Sequence, residues 1–205
     1  IEYRWADGRY DLLPALAEDL VNRRVNVIAT AGGSTSAVAA SKATSTIPIV
    51  SIMGSDPVKL GLTASLSRPD KNVTGVAQLL ADAEGKRLEL LHELVPNAKT
   101  IGYLANPNNA RFSEQRALVE QSALSFDAKV RVMSVTTQAE ISAAFTLASS
   151  EGVSAVLVAA DPFLFINIDQ IVALAAKLSM PAVYFVREYV TAGGLISYGT
   201  RLGDA

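Results

Sequence analysis

The chain has no cysteine and a single histidine in 205 residues. Without cysteine there is no disulfide, no thiolate-held zinc and no cysteine nucleophile. His92 sits in the helical-looking run Glu89-Leu90-Leu91-His92-Glu93-Leu94, with no second histidine and no metal-spaced carboxylates near it. It reads as a surface or half-buried residue rather than a ligand. A serine–histidine hydrolase would also need a Gly-x-Ser-x-Gly elbow, and none is present. Neither Gly-x-Gly-x-x-Gly after a strand nor a Gly-Lys-Ser/Thr loop occurs, so nucleotide phosphates have no cradle. Eighteen basic and 20 acidic residues leave a net charge of −2, which is no nucleic-acid footprint. No apolar segment approaches the roughly 20 residues needed to span a bilayer. Catalytic residues, metal ligands and cofactors are therefore not expected.

What the chain does have is apolar runs that end in small or polar clusters. Residues 25–30 precede Ala31-Gly32-Gly33-Ser34-Thr35, and 47–53 precede Gly54-Ser55-Asp56-Pro57. Residues 101–105 lead into Asn106-Pro107-Asn108-Asn109, 153–160 into Asp161-Pro162, and 181–186 into Arg187-Glu188-Tyr189. Continuous Val/Ile/Leu runs of this length read as strands buried on both faces, as in parallel sheets. Helical stretches at 12–24, 34–43, 82–94, 111–126, 138–150 and 167–178 separate them, with a short helix opening at Asp56-Pro57. A further strand is expected at 129–135. The fold class is α/β, built of βα units with helices covering the sheet. In such sheets ligands sit beyond the carboxyl ends of the strands, where the polar clusters fall.

At the ends, Ile1-Glu2-Tyr3-Arg4-Trp5 reads as a strand already under way, with Trp5 packing at its end. Residues 194–198 read as a last strand, and 200–205 as the opening of a helix. The chain reads as a fragment. Two sets of βα units part near residues 70–80, with a return crossing near 188–194. This predicts lobe 1 over 1–78 with a return segment 189–205, and lobe 2 over 79–188, with a hinge and a cleft between them.

Several blocks carry a resemblance: residues 1–11, Leu13-Pro14-Ala15-Leu16-Ala17, Ser45-Thr46-Ile47-Pro48-Ile49-Val50 and Ser55-Asp56-Pro57-Val58-Lys59-Leu60-Gly61-Leu62. Ala64-Ser65-Leu66-Ser67-Arg68-Pro69 and Asn72-Val73-Thr74-Gly75 complete it. The chain resembles ABC-transporter substrate-binding proteins of the tryptophan/tyrosine type. That resemblance implies a periplasmic-binding-protein type I-like fold, here with an incomplete first lobe, whose two Rossmann-like lobes close on an amino acid-like ligand. It further implies a membrane permease as partner, a periplasmic or extracytoplasmic location, and a signal peptide in the full-length form.

The candidate ligand-binding residues follow from the strand ends. Gly33, Ser34 and Thr35 lie between a strand and a helix, where free N–H groups and the helix dipole favour a carboxylate; alternatively Ser34 caps its own helix. Asp56 and Asp161 each precede proline after an apolar strand. Asp-Pro opens helices as cap and first residue, and either carboxylate could also pair with a ligand ammonium. Asn106 and Asn108 suit a zwitterion or an amide but are also ordinary turn residues. Tyr184 and Tyr189 could cover an apolar ligand side chain and Glu188 could take an amine, although a tyrosine within an apolar strand is by default core. Lys86, Arg87 and Lys99 read as solvated charges. Three function classes remain: a solute-binding protein, a ligand-sensing effector domain of the same fold, and a doubly wound enzyme. The third lacks both a phosphate motif and a catalytic set.

Overall fold

A computed structural model describes residues 1–78 and 83–199. The chain divides into two compact units, Ile1–Leu79 with Asn108–Ala110, and Leu80–Pro107 with Arg111–Ala205. Each is an α/β layer structure with a parallel sheet.

In the first unit a 3₁₀ turn at Tyr10–Leu12 runs into α1 (Leu13–Asn22), followed by β1 (Ile28–Thr30), α2 (Ser34–Ala43), β2 (Ile49–Met53) and β3 (Val73–Ala77). The sheet order is β1-β2-β3, all parallel, with Ile28 opposite Ile49 and Ile49 opposite Val73. Helix α2 presents Ala37 and Ala40 to the sheet, small residues that let it pack closely against Ile28, Ile49, Met53, Leu62 and Val73. Burying each larger aliphatic side chain contributes roughly 1.5–3 kcal/mol. Strand β2 alternates buried and exposed residues: Ile49, Ser51 and Met53 face α2, while Val50 and Ile52 are exposed, as is Val76 of β3. The expectation of strands buried on both faces therefore fails here, because helices pack on one face of this sheet.

Three other expectations are corrected in this unit. Residues 1–6 form no strand; they run irregularly and are tied to α1 by Arg4, whose Nε donates to Asp19 at 2.7 Å. Trp5 is 72% exposed and stacks on Tyr3 instead of packing. The sequence after Asp56 makes consecutive turns rather than a helix. Strand β3 was not expected at all, since glycine at its centre and proline just upstream read as a crossing.

The second unit runs α3 (Glu84–Leu94), β4 (Thr100–Ala105), α4 (Phe112–Leu124), β5 (Lys129–Ser134), α5 (Gln138–Ser150) and β6 (Ala155–Val158). It continues through α6 (Pro162–Ile166), α7 (Ile168–Lys177), β7 (Ala182–Tyr184), α8 (Glu188–Thr191) and β8 (Ile196–Ser197). The five parallel strands stand in the order β5-β4-β6-β7-β8. Helix α3 packs on β6 and β7, α4 and α5 pack on β5, and α5 meets α7. Accordingly β4 and β6 are buried along almost their whole length, as central strands of a sheet covered on both faces are. Helix α5 begins at a capping box: Thr137 accepts from the Glu140 N–H while Glu140 accepts from the Thr137 N–H. The Thr136 N–H and hydroxyl also donate to Glu140, and they, with the Thr137 N–H, hold its carboxyl below its usual range. The single helix expected over 167–178 is preceded by α6, because Asp161 and Pro162 start a turn of their own. All three methionines, Met53, Met133 and Met180, are buried.

The predicted return of 189–205 to the first lobe does not hold for the described part of that segment. Residues 196–197 pair with β7 and group with the second unit. The helix expected from residue 200 lies outside the described residues, as does the expected start of α3 at residue 82. Among the described residues no helix is long and apolar enough to cross a membrane.

Candidate functional site

In the first unit the polar groups collect at the carboxyl edge of the sheet. Thr30 Oγ1, ending β1, donates to Ser51 Oγ at 2.7 Å. The chain then turns into α2 through Gly33, whose φ of 81° is the left-handed conformation that glycine adopts without a side-chain clash. Gly33, not Ser34, occupies the N-cap, and no side chain caps this helix. Ser34 is the first helical residue. Its hydroxyl is buried, the residue only 7% exposed, and has no hydrogen-bond partner. Ser36 Oγ turns back to the Gly33 carbonyl at 2.7 Å. The first-turn N–H groups, which have no intrahelical acceptor, are thus left with a buried hydroxyl beside them. Thr35 Oγ1 accepts from the Ala110 N–H at 3.2 Å, within the 108–110 segment that also carries Asn108. Asp56, after β2, is half-buried and accepts from the Val58 N–H at 2.8 Å. Ser34 and Asp56 therefore share one edge of one sheet, each held by its own loop.

In the second unit, Asn106 follows β4, Asp161 follows β6, and Tyr184 and Glu188 follow along β7 into α8. Asp161 is buried and caps α6, accepting from the N–H groups of Phe163 at 2.8 Å and Leu164 at 3.2 Å. Asn106 is buried too. Tyr184 is 1% exposed, its ring stacked on Tyr189 at 4.5 Å and so close to Gly194 that a side chain there would meet it at 2.6 Å. Tyr189 is likewise buried and donates to the Leu164 carbonyl at 2.8 Å. These two rings belong to the core, so the notion of an aromatic cover for a ligand is corrected. Glu188 keeps one buried carboxylate oxygen without a partner.

The sequence reading missed the main polar cluster of this unit. Glu84 and Arg87, one turn apart on α3, are both fully buried. Tyr103 donates to Glu84 Oε2 at 2.7 Å, the Ala160 N–H donates to Oε1 at 3.3 Å, and the Arg87 guanidinium lies 3.8 Å from Oε1. Arg87 was expected to be a solvated charge and is the opposite, while Lys86 and Lys99 are exposed as expected. The signal was available in the periodicity. Leu91 and Leu88 set the buried face of α3, and stepping back three or four residues from them reaches Arg87 and Glu84. Burial pushes the Glu84 carboxyl up, opposed by Arg87, the Tyr103 hydroxyl and the Ala160 N–H.

Burial also raises the phenols of Tyr103 and Tyr189 far above their usual range and that of Tyr184 to about 12. The unfolded chain releases such protons near pH 10. Stability from keeping them is therefore complete below about pH 10 and is lost as pH rises through about 12. Urea midpoints measured from pH 9 to pH 12 should fall steadily over the upper two units, with a shallower fall in Tyr184→Phe.

Among the described residues no group of three His, Cys, Asp or Glu side chains could hold a metal ion. His92 is half-buried and stacks on Phe126 at 4.4 Å.

The family model described as ABC transporter substrate binding protein matches residues 1–204. The "Tyrosine-binding protein" of Clostridioides difficile (strain R20291) is 30% identical over 146 residues, which are 71% of this chain and 41% of that protein. A conserved domain protein of Vibrio cholerae has a solved structure with a TM-score of 0.79 and 26% identity, over 96% of this chain and 65% of that one. A structure titled as the ABC domain in complex with L-Trp, from Streptococcus pneumonia, gives 0.76 and 24% over 93% and 65%. A leucine-binding protein from Thermotoga maritima shares the fold at 13% identity and a TM-score of 0.62. The chain thus spans less than two thirds of the length of these relatives, whose fold is that of periplasmic binding proteins of type I-like architecture. With the match running over nearly every residue, the chain belongs to the family of ABC transporter substrate-binding proteins, which bind ligands and are not enzymes.

Proposed function

We propose that the chain is the ligand-binding part of an extracytoplasmic solute-binding component of an ABC importer, with an amino acid as its ligand and an aromatic one as the leading case. The observation that carries the ligand chemistry is the buried, unpartnered hydroxyl of Ser34 at the uncapped start of α2. A hydroxyl and several unpaired N–H groups at a helix N-terminus suit a carboxylate. Gly33 lets the backbone approach it, and Thr35 stands beside it. The ammonium end falls to Asp56, the carboxylate at the same sheet edge of the same unit. Asn108 belongs to the same unit, while Asn106 and Asp161 stand on the strand-end loops of the second unit. The similarity to a tyrosine-binding protein and to a protein solved in complex with L-Trp supports the aromatic case. Closure of two lobes about a hinge, delivery to a membrane permease and an extracytoplasmic location are parts of the same proposal, drawn from the family.

The test is thermal unfolding of the protein against the amino acids and small carboxylates. A ligand at about 100 times its dissociation constant adds roughly 2.7 kcal/mol and moves the midpoint visibly. Tyrosine or tryptophan is expected to shift it. Ser34→Asp, which sets a fixed negative charge where the ligand carboxylate goes, should abolish the shift, with circular dichroism of the unliganded variant checking that it is folded. A panel in which nothing shifts the wild-type protein, or a Ser34→Asp variant that responds normally, would overturn the assignment.

A further inference from the structure

The segment 194–199 adds β8 to the edge of the second sheet, yet it buries little. Leu195 and Tyr198 are exposed, and Ile196 and Ser197 are half-buried. Among the described residues, its backbone bonds are the Gly194 N–H to Tyr189, the Tyr198 N–H to Tyr184, and a pairing over two residues. A two-residue edge strand without a buried face has little to hold it.

Among the described residues, a buried side chain from α3 reaches it. Arg87 Nη1 on α3 donates to the Tyr198 carbonyl at 3.2 Å, across 111 residues of sequence. The same guanidinium is fully buried and paired with Glu84, which is itself fixed by Tyr103 and the Ala160 N–H. A hydrogen bond from a charged donor is stronger than a neutral one. It also has a rigid base, because α3, β4 and the β6 end are joined through the Glu84 carboxylate.

From this we propose that residues 194–199 form a strap that opens locally while the rest of the second unit stays folded, and that Arg87 is the latch that holds it closed. Opening would break the Tyr198 bond and bare a guanidinium that is otherwise enclosed, so the closed strap and the buried ion pair stabilise each other. The Tyr184 ring lies close against Gly194 at the foot of the strap, which marks where it would bend away.

Native-state amide exchange on the wild-type chain and on Arg87→Lys tests this. Lysine keeps a positive charge near Glu84 but has no planar fork with which to reach both Glu84 and Tyr198. In the wild type, the Tyr198 N–H should exchange by an opening insensitive to low denaturant. The Val156 and Ala159 N–H groups, bonded to Pro181 and Leu104 inside the sheet, should exchange only with the larger unfolding. In Arg87→Lys, exchange at Tyr198 should rise about tenfold, with Val156 and Ala159 changed less than twofold. Should that variant not fold, the wild-type denaturant dependence still decides. The proposal is overturned if Tyr198 exchanges with the same denaturant dependence as Val156, or if the substitution speeds all three alike.

Discussion

Gly75→Ala is expected to destabilise the first unit by about 4 kcal/mol or more, among the largest effects a single methyl can have. Gly75 stands in the middle of β3 with φ at +149°, outside the usual range for residues with a side chain. An added Cβ would fall 1.8 Å from the Ser51 carbonyl oxygen and under 3 Å from the Ser51 carbonyl carbon and nitrogen. All three are backbone atoms of β2, so no rotamer change relieves the clash. Strand β3 would have to move off β2, and that pairing carries Ile49, Val73 and Met53 into the core against α2. Urea unfolding followed by circular dichroism, with amide exchange along β2, measures the loss. A Gly75→Ala protein with wild-type stability would mean that β3 does not run this close to β2.

The buried ion pair gives the second large effect. Glu84→Ala or Arg87→Ala should each cost about 3–5 kcal/mol, because each leaves the other charge enclosed without its counter-ion. The double variant Glu84→Leu/Arg87→Met should lose less than the two single losses summed. It no longer encloses a bare charge, and its remaining penalty is the Tyr103 hydroxyl, the Ala160 N–H and the Tyr198 carbonyl deprived of partners, about 1–3 kcal/mol for each such group. A double-mutant cycle reads this as a coupling energy. Strict additivity would show that Glu84 and Arg87 act separately, each on its own neighbours.

These two predictions concern features of differing visibility in the sequence. The strands at 100–105 and 129–134, and the helices at 34–43 and 138–150, were legible because apolar runs and helical spacing are dictated by burial that is local to each element. The polar ends of the strands, where Ser34 and Asp56 stand, were legible for the same reason. What sequence could not supply was burial that depends on distant partners. Val50 and Ile52 look like core in any apolar run, and their exposure follows from which helices pack on the first sheet. Tyr184 looked like either a cover or core, and its neighbours Tyr189 and Gly194 decide the matter. Residues 1–6 had the composition of a strand and no strand beside them with which to pair. Arg87 was misread because charge was weighed above position on the helix. Its neighbours Lys86 and Glu89 do face water, where they pair with each other.

The enclosure of Met53, Met133 and Met180, in a chain with no thiol at all, bears on how it meets oxidants. Met133 lies so close to Gly102 of β4 that a single added carbon there would come within 2.6 Å of its sulfur. A sulfoxide oxygen on that sulfur would bring polarity into an apolar seam. In the folded protein peroxide finds no soft sulfur at the surface, so damage must wait for molecules that have already opened. Sulfoxide, once formed, would then hinder their closing again.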